Sequence, residues 1–120
     1  MLHYVSIRVS DLERSGAFYD SLLGPLGWRR QRENSGAIGW GLVKPVFYIS
    51  TDASPRPEFG HVSFPGNSIP AVRASFEAGV EAGGEAESEP GATSLQGPES
   101  YSARLKDPDG HMVEIAVAPG

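Results

Sequence analysis

Few residues in this chain can do chemistry, and one pair is spaced to meet. Arg104 and Glu114 flank Asp107-Pro108-Asp109-Gly110, a type I turn sequence with its glycine placed for a bulge. A three-residue hairpin loop there sets Leu105 opposite Val113 and Arg104 directly across from Glu114. An arginine–carboxylate pair of that kind satisfies both charges without any cation. The histidines are His3, His61 and His111, and there is no cysteine, so disulfides, thiolate metal sites and cysteine nucleophiles are excluded. A phosphate-cradling glycine loop ending in Lys-Ser or Lys-Thr, a dinucleotide fingerprint, a His-Glu-x-x-His helix and a nucleophile elbow are all missing. Nucleotide-dependent and hydrolase classes therefore recede.

The elements that would position these residues occur twice. Tyr4-Val5-Ser6-Ile7, Ala17-Phe18-Tyr19-Asp20 and Gly27 are echoed by His61-Val62-Ser63-Phe64, Ala74-Ser75-Phe76-Glu77 and Gly84. A repeat of about half the chain means one supersecondary unit used twice, so any site is built twice as well. Residues 2–9 alternate as a half-buried strand, with Val5, Ile7 and Val9 on the core face. Ser10 then reads as a helix cap with Glu13 completing a capping box, and Leu12, Phe18, Tyr19, Leu22 and Leu23 form the apolar stripe before Gly24-Pro25 stops the helix. Strands are expected over 28–33, 37–43 and 46–50. In the second copy, strand 59–64 leads to a helix capped by Ser68 with Pro70 in its first turn, ending at Gly83-Gly84. Residues 88–99, rich in Gly and Pro, read as a loop over one end of a cleft. Strands at about 100–106 and 111–117 close the unit, with His111 in the turn and solvated. The expectation is an α+β domain of two βαβββ modules, 1–52 and 59–118, joined by a linker at about 53–58.

With 120 residues the chain is long enough to bury a core without staples. Formal net charge is -5, and apart from Arg29-Arg30-Gln31-Arg32 the basic residues are scattered, so nucleic acid is not the expected partner. No stretch approaches the ~18 apolar residues of a membrane span, and no secretory leader is evident. The expected protein is soluble and cytoplasmic, working on small molecules.

Residues of three segments resemble the vicinal oxygen chelate superfamily of glyoxalases, bleomycin-resistance proteins, extradiol dioxygenases and fosfomycin-modifying enzymes. They are Val5-Ser6-Ile7-Arg8-Val9-Ser10-Asp11-Leu12 with Phe18-Tyr19, then His61-Val62-Ser63-Phe64, then Asp107-Pro108-Asp109-Gly110-His111-Met112-Val113-Glu114. The resemblance spans nearly the whole chain and implies paired βαβββ modules whose curved mixed sheets enclose a cleft. It also implies a divalent metal (Fe, Mn, Ni or Zn) held by His, Gln or Glu, with open positions for substrate oxygens, and a homodimer.

Aligning the repeated Val-Ser pair makes Tyr4 the counterpart of His61, and matching Val46-Phe47-Tyr48-Ile49 with Met112-Val113-Glu114-Ile115 makes Tyr48 the counterpart of Glu114. The implied metal ligands are His61, Glu114 and Tyr4, with His3 as a substitute for Tyr4. Side chains alternate along a strand, so His3 shares the core face with Val5 and only a bulge would bring it to the cleft. Glu114 is the expected catalytic group, while Tyr48, Arg8, Arg104 and Trp40 are expected to contact substrate. Two functions follow from different classes. One is a metal-assisted lyase, isomerase or dioxygenase acting on a small oxygen-rich substrate, and the other is a metal-free protein that sequesters a ligand in the manner of bleomycin-resistance members.

Overall fold

The computed structural model of the chain describes residues 5–51, 61–93 and 100–117, with the backbone alone at His61, Thr93 and Ser100. Each half of the chain builds its own four-stranded sheet. The first contains β1 (Val5–Arg8), β2 (Arg29–Glu33), β3 (Ala37–Gly41) and β4 (Phe47–Ser50) in the order β1-β4-β3-β2. The second contains β5 (His61–Pro65), β6 (Glu85–Thr93), β7 (Ser100–Lys106) and β8 (Met112–Val117) in the order β5-β8-β7-β6. In each, the first strand lies parallel to the last and the others are antiparallel, so both sheets are mixed and open. Helices α1 (Leu12–Leu23) and α2 (Ile69–Glu81) follow β1 and β5. The α+β class and the βαβββ order read from the sequence are those found.

Alternation decides which face of each sheet meets the helices. Ile7, Phe47, Ile49, Ile38 and Trp40 of the first sheet, with Phe64, Val113, Ile115, Ala103 and Leu105 of the second, are buried in a single core with Phe18, Tyr19, Leu22 and Leu23 of α1. The halves meet through Phe47 and Phe64, whose rings pack edge to face at 4.9 Å, and through the Ser75 hydroxyl of α2, which donates to the Leu22 carbonyl of α1 at 2.6 Å. Gly79 lets the helices approach, since a β-carbon there would sit 2.7 Å from Leu22 and 2.8 Å from Leu105.

Some local expectations change. The α1 cap is Asp11, whose carboxylate accepts from the Arg14 amide at 3.0 Å, because an anion suits the positive end of the helix and Ser10 is engaged by Asp109. The α1 helix itself ends at Leu23, just before Gly24-Pro25 as expected, and a 3-10 turn over Gly24–Leu26, ended by Gly27 at φ +88°, follows it. Residues 88–93 are the end of β6, and only 94–99 of the expected loop lie outside the described residues. As an edge strand β6 tolerates Pro90, which falls where the register with β7 shifts between Ser88 and Gly91. His111 is half-buried and its Nε2 donates to the Arg8 carbonyl at 2.8 Å, since a carbonyl can only accept. His3, Tyr4, the strand starts at 2–4 and 59–60 and the linker at 53–58 also lie outside the described residues.

Candidate functional site

The register of the two sheets puts corresponding residues at corresponding places. Ser6 pairs with Tyr48 across β1 and β4, and Ser63 pairs with Glu114 across β5 and β8. Both pairs lie on the face turned away from the helices, because their neighbours Ile7, Ile49, Phe64 and Ile115 fill the core. The Tyr48–Glu114 correspondence is thus a property of the backbone pairing.

Glu114 stands out chemically as a carboxylate only 3% exposed. Its Oε1 accepts from the Ser63 hydroxyl at 3.0 Å, and Arg104 Nε lies 3.7 Å from Oε2. Arg104 is directly opposite Glu114 in the β7–β8 register, and Leu105 opposite Val113, as the hairpin turn requires. That turn closes as expected: the Gly110 amide donates to Asp107 O at 2.9 Å, the Asp107 amide donates to His111 O at 2.9 Å, and Gly110 takes φ +92°. A buried carboxylate flanked by a hydroxyl and a guanidinium is held in one orientation, which is what a proton-transfer group or ligand-binding anion needs. His61 is placed on β5 two residues before Ser63, opposite Met112. Among the described residues no three His, Asp or Glu side chains converge on a cation position.

The other expected contacts divide between the two faces. Arg8, exposed on β1, and half-buried Tyr48 share the polar face of the first sheet. Trp40 lies on the opposite face, fully buried, with its indole N–H donating to Asp20 at 3.0 Å and its ring against Tyr19 and Phe47. Strand alternation from Gly39 and Gly41 dictates this, so Trp40 packs α1 against the sheet and does not reach a ligand on the polar face.

A second polar cluster was not read from the sequence. The β7–β8 turn docks on the start of α1, where Asp109 accepts from the Ser10 hydroxyl at 2.6 Å, the Ser10 amide at 3.2 Å and the Ser15 hydroxyl at 3.2 Å. Burial pushes the Asp109 carboxyl up, but these hydrogen bonds and the nearby Arg14 charge outweigh it and hold it below its ordinary value. Asp107, 4% exposed, accepts from the amides of Asp109 and His111, and from the Tyr19 hydroxyl at 2.7 Å. Burial, then the Asp107 charge, pushes the Tyr19 phenol well above its usual pKa. A groove of about 430 Å³ beside this clasp is lined by Arg8, Val9, Ser10, Thr51, Asp109 and His111, and does not include Tyr48, Arg104 or Glu114. The only signal for the clasp was the pair of aspartates in one turn, which also serve the turn itself.

Comparison with known proteins agrees with this architecture. The family model described as Glyoxalase/Bleomycin resistance protein/Dioxygenase superfamily matches residues 1–115. The crystal structure of a glyoxalase/bleomycin resistance protein from Albidiferax ferrireducens T118 is similar at 30% identity and a TM-score of 0.84, covering 98% of each chain. A glyoxalase-related enzyme from Fulvimarina pelagi shares the fold at 24% identity, covering 97% of this chain and 87% of that one, with a TM-score of 0.74. Glyoxalase I from Zea mays does so at 24% identity with a TM-score of 0.73, this chain covering 45% of that protein's length. No curated protein matches the chain. The sheet order, the paired registers and the match over residues 1–115 together place this chain in the glyoxalase/bleomycin resistance protein/dioxygenase superfamily.

Proposed function

We propose that this protein is a metal-assisted lyase, isomerase or dioxygenase acting on a small oxygen-rich substrate, with Glu114 as its central functional group. The observation that supports this reading is the buried carboxylate on the polar face of the second sheet, oriented by Ser63 at 3.0 Å. Burying a charge costs stability unless it is partnered, and a position that keeps one is a candidate for function. The donor chemistry fits a divalent cation of the Mn, Fe, Ni or Zn group. Glu114 would supply a carboxylate oxygen and His61 an imidazole, with Tyr4 or His3 completing the set. Such a cation, when bound, polarises a substrate carbonyl or stabilises an enolate. The chain's own contribution is to fix the Glu114 carboxylate, ready to accept or return a proton beside the substrate, while Arg104 and Tyr48 orient substrate oxygens. Calorimetric titration of Mn and Zn into the protein should show saturable binding that disappears when His61→Ala and Glu114→Ala are combined. Equal binding by the double variant would refute these ligands.

One observation favours a second reading. The Arg104 guanidinium, 3.7 Å from Glu114, already offsets the carboxylate charge and repels a second cation. On that reading the polar faces sequester a ligand without metal, as in bleomycin-resistance proteins. Ligand-induced thermal stabilisation would then persist in chelator, whereas the metal reading requires chelator to abolish it. On either reading we propose a homodimer, checked by sedimentation equilibrium.

A further inference from the structure

The polar face of the first sheet carries three arginines that make no ion pair among the described residues. Plain alternation along β2 would put Arg30 and Arg32 on the same face, toward α1. Instead the pairing with β3 slips by one residue: Arg30 faces Trp40, Gln31 is extra, and Arg32 faces Gly39. The Gln31 carboxamide pins this bulge by donating to the carbonyls of Gly41 at 3.0 Å and Leu42 at 3.3 Å. Arg30 remains on the helix side in a bidentate pair with Asp20, and Glu33 is turned to join it at 3.0 Å. Arg32 is delivered to the opposite face, next to Arg29, which sits across from Gly41. Bulges re-aim side chains, and this one moves a guanidinium out of a salt-bridged layer onto a face where it pairs with nothing among the described residues.

That face has a further property. A β-carbon at Gly39 would lie 2.7 Å from Tyr48 Cε2 and 3.0 Å from Pro45 Cβ, so the Tyr48 ring lies over the glycine with Pro45 beside it. The register therefore lines up Arg32, Gly39, Tyr48 and Ser6 in one row across the sheet, and Ala37, Ser50 and Arg8 in the next. Arg8, Arg29 and Arg32 are all exposed on this face, and no Asp or Glu of the described strands shares it. Three like charges on one face of a chain with net charge -5 repel one another and contribute nothing to stability that the structure shows.

We propose that this face is a binding site for a planar small molecule with two or more acidic groups, its flat part on the Tyr48 ring and its carboxylates on Arg29 and Arg32. Guanidinium forks match carboxylates bidentately, and a tyrosine ring supplies apolar area beside them. This deepens the proposed function by naming the substrate's charge class and rests on that reading for the word substrate. Its test does not involve Glu114 or metal, so failure here leaves the Glu114 proposal standing, and the reverse.

The test is an NMR titration of the intact protein with phthalate (benzene-1,2-dicarboxylate) at physiological salt, with neutral phthalamide as the control. Saturable shifts of the Arg29 and Arg32 Nε–H signals and the Tyr48 ring are expected with phthalate and not with phthalamide. Combining Arg29→Gln with Arg32→Gln should weaken binding by about tenfold or more while leaving the thermal midpoint unchanged, because neither side chain holds the fold together. Arg32→Lys, which keeps the charge and loses the fork, should weaken it less. Absence of saturable shifts, an equal response to phthalamide, unchanged affinity in these variants, or tighter competition by a single-stranded oligonucleotide would each overturn the proposal.

Discussion

The Tyr19 hydroxyl donates to the Asp107 carboxylate at 2.7 Å although 88 positions separate the two residues in the chain. Both are buried, one on α1 and the other at the turn between β7 and β8, so a single hydrogen bond ties the helix of the first half to the hairpin that carries Arg104 and Glu114. Tyr19→Phe removes the donor and leaves Asp107 with only its two backbone donors. A loss of about 1–3 kcal/mol is expected, measured by urea unfolding.

The same bond gives a pH signature. Because the folded protein holds the Tyr19 phenol above its unfolded value of 10.0, its contribution is complete below that pH and declines as pH rises further. The difference in stability between wild type and Tyr19→Phe should therefore shrink above about pH 10, whereas a constant difference would mean that Tyr19 ionises freely.

Asp109 is the mirror case at acid pH. Its folded pKa lies below the ordinary aspartate value of 3.8, so its stabilisation is present above that pH and fades as pH falls through the folded value. Asp109→Asn should lower the melting temperature at neutral pH and flatten the acid side of the profile. Parallel wild-type and variant curves from neutral pH down to about pH 2 would contradict the clasp.

Arg104 and Glu114 are coupled on different terms. Removing Arg104 leaves a buried carboxylate supported by Ser63, so Arg104→Met should cost about 1–3 kcal/mol. Adding Glu114→Gln should restore part of that loss. A double-mutant cycle by thermal unfolding measures the coupling, and strict additivity would show that the two charges do not sense each other.

Gly39→Ala probes the first sheet's polar face. The added methyl meets the Tyr48 ring at 2.7 Å and Pro45 at 3.0 Å, forcing the ring from its place over the strand. Destabilisation of about 1–3 kcal/mol is expected, with altered Tyr48 ring resonances, and unchanged ring resonances would mean that the tyrosine does not cover Gly39.

How much of this was legible in the sequence depends on how local the cause was. The Arg104–Glu114 register followed from turn chemistry, because Asp107-Pro108-Asp109-Gly110 fixes the loop length and hence which residues face each other. The correspondence of Tyr48 with Glu114 followed from the repeat and is reproduced by two matching parallel registers. Arg32 could not be placed, because a bulge without glycine leaves no mark in the alternation. The strand over 88–93 was hidden by Pro90 and Gly91, which an edge strand accepts at a bulge. Trp40 was ambiguous because a tryptophan suits a ligand wall as well as a core, and the parity of its neighbours decides the matter. The clasp of Asp109 on Ser10 joins distant segments, and nothing local distinguishes it from ordinary turn and cap residues.

Elemental analysis of tag-free protein, as purified and after dialysis against Mn, Fe, Ni and Zn in turn, decides whether Glu114 belongs to a metal site. Near-stoichiometric metal is expected in at least one condition, with its loss in the protein combining His61→Ala with Glu114→Ala. Metal-free protein under every condition, or equal loading of the double variant, would contradict a metal site at Glu114 and leave that carboxylate as the partner of Arg104.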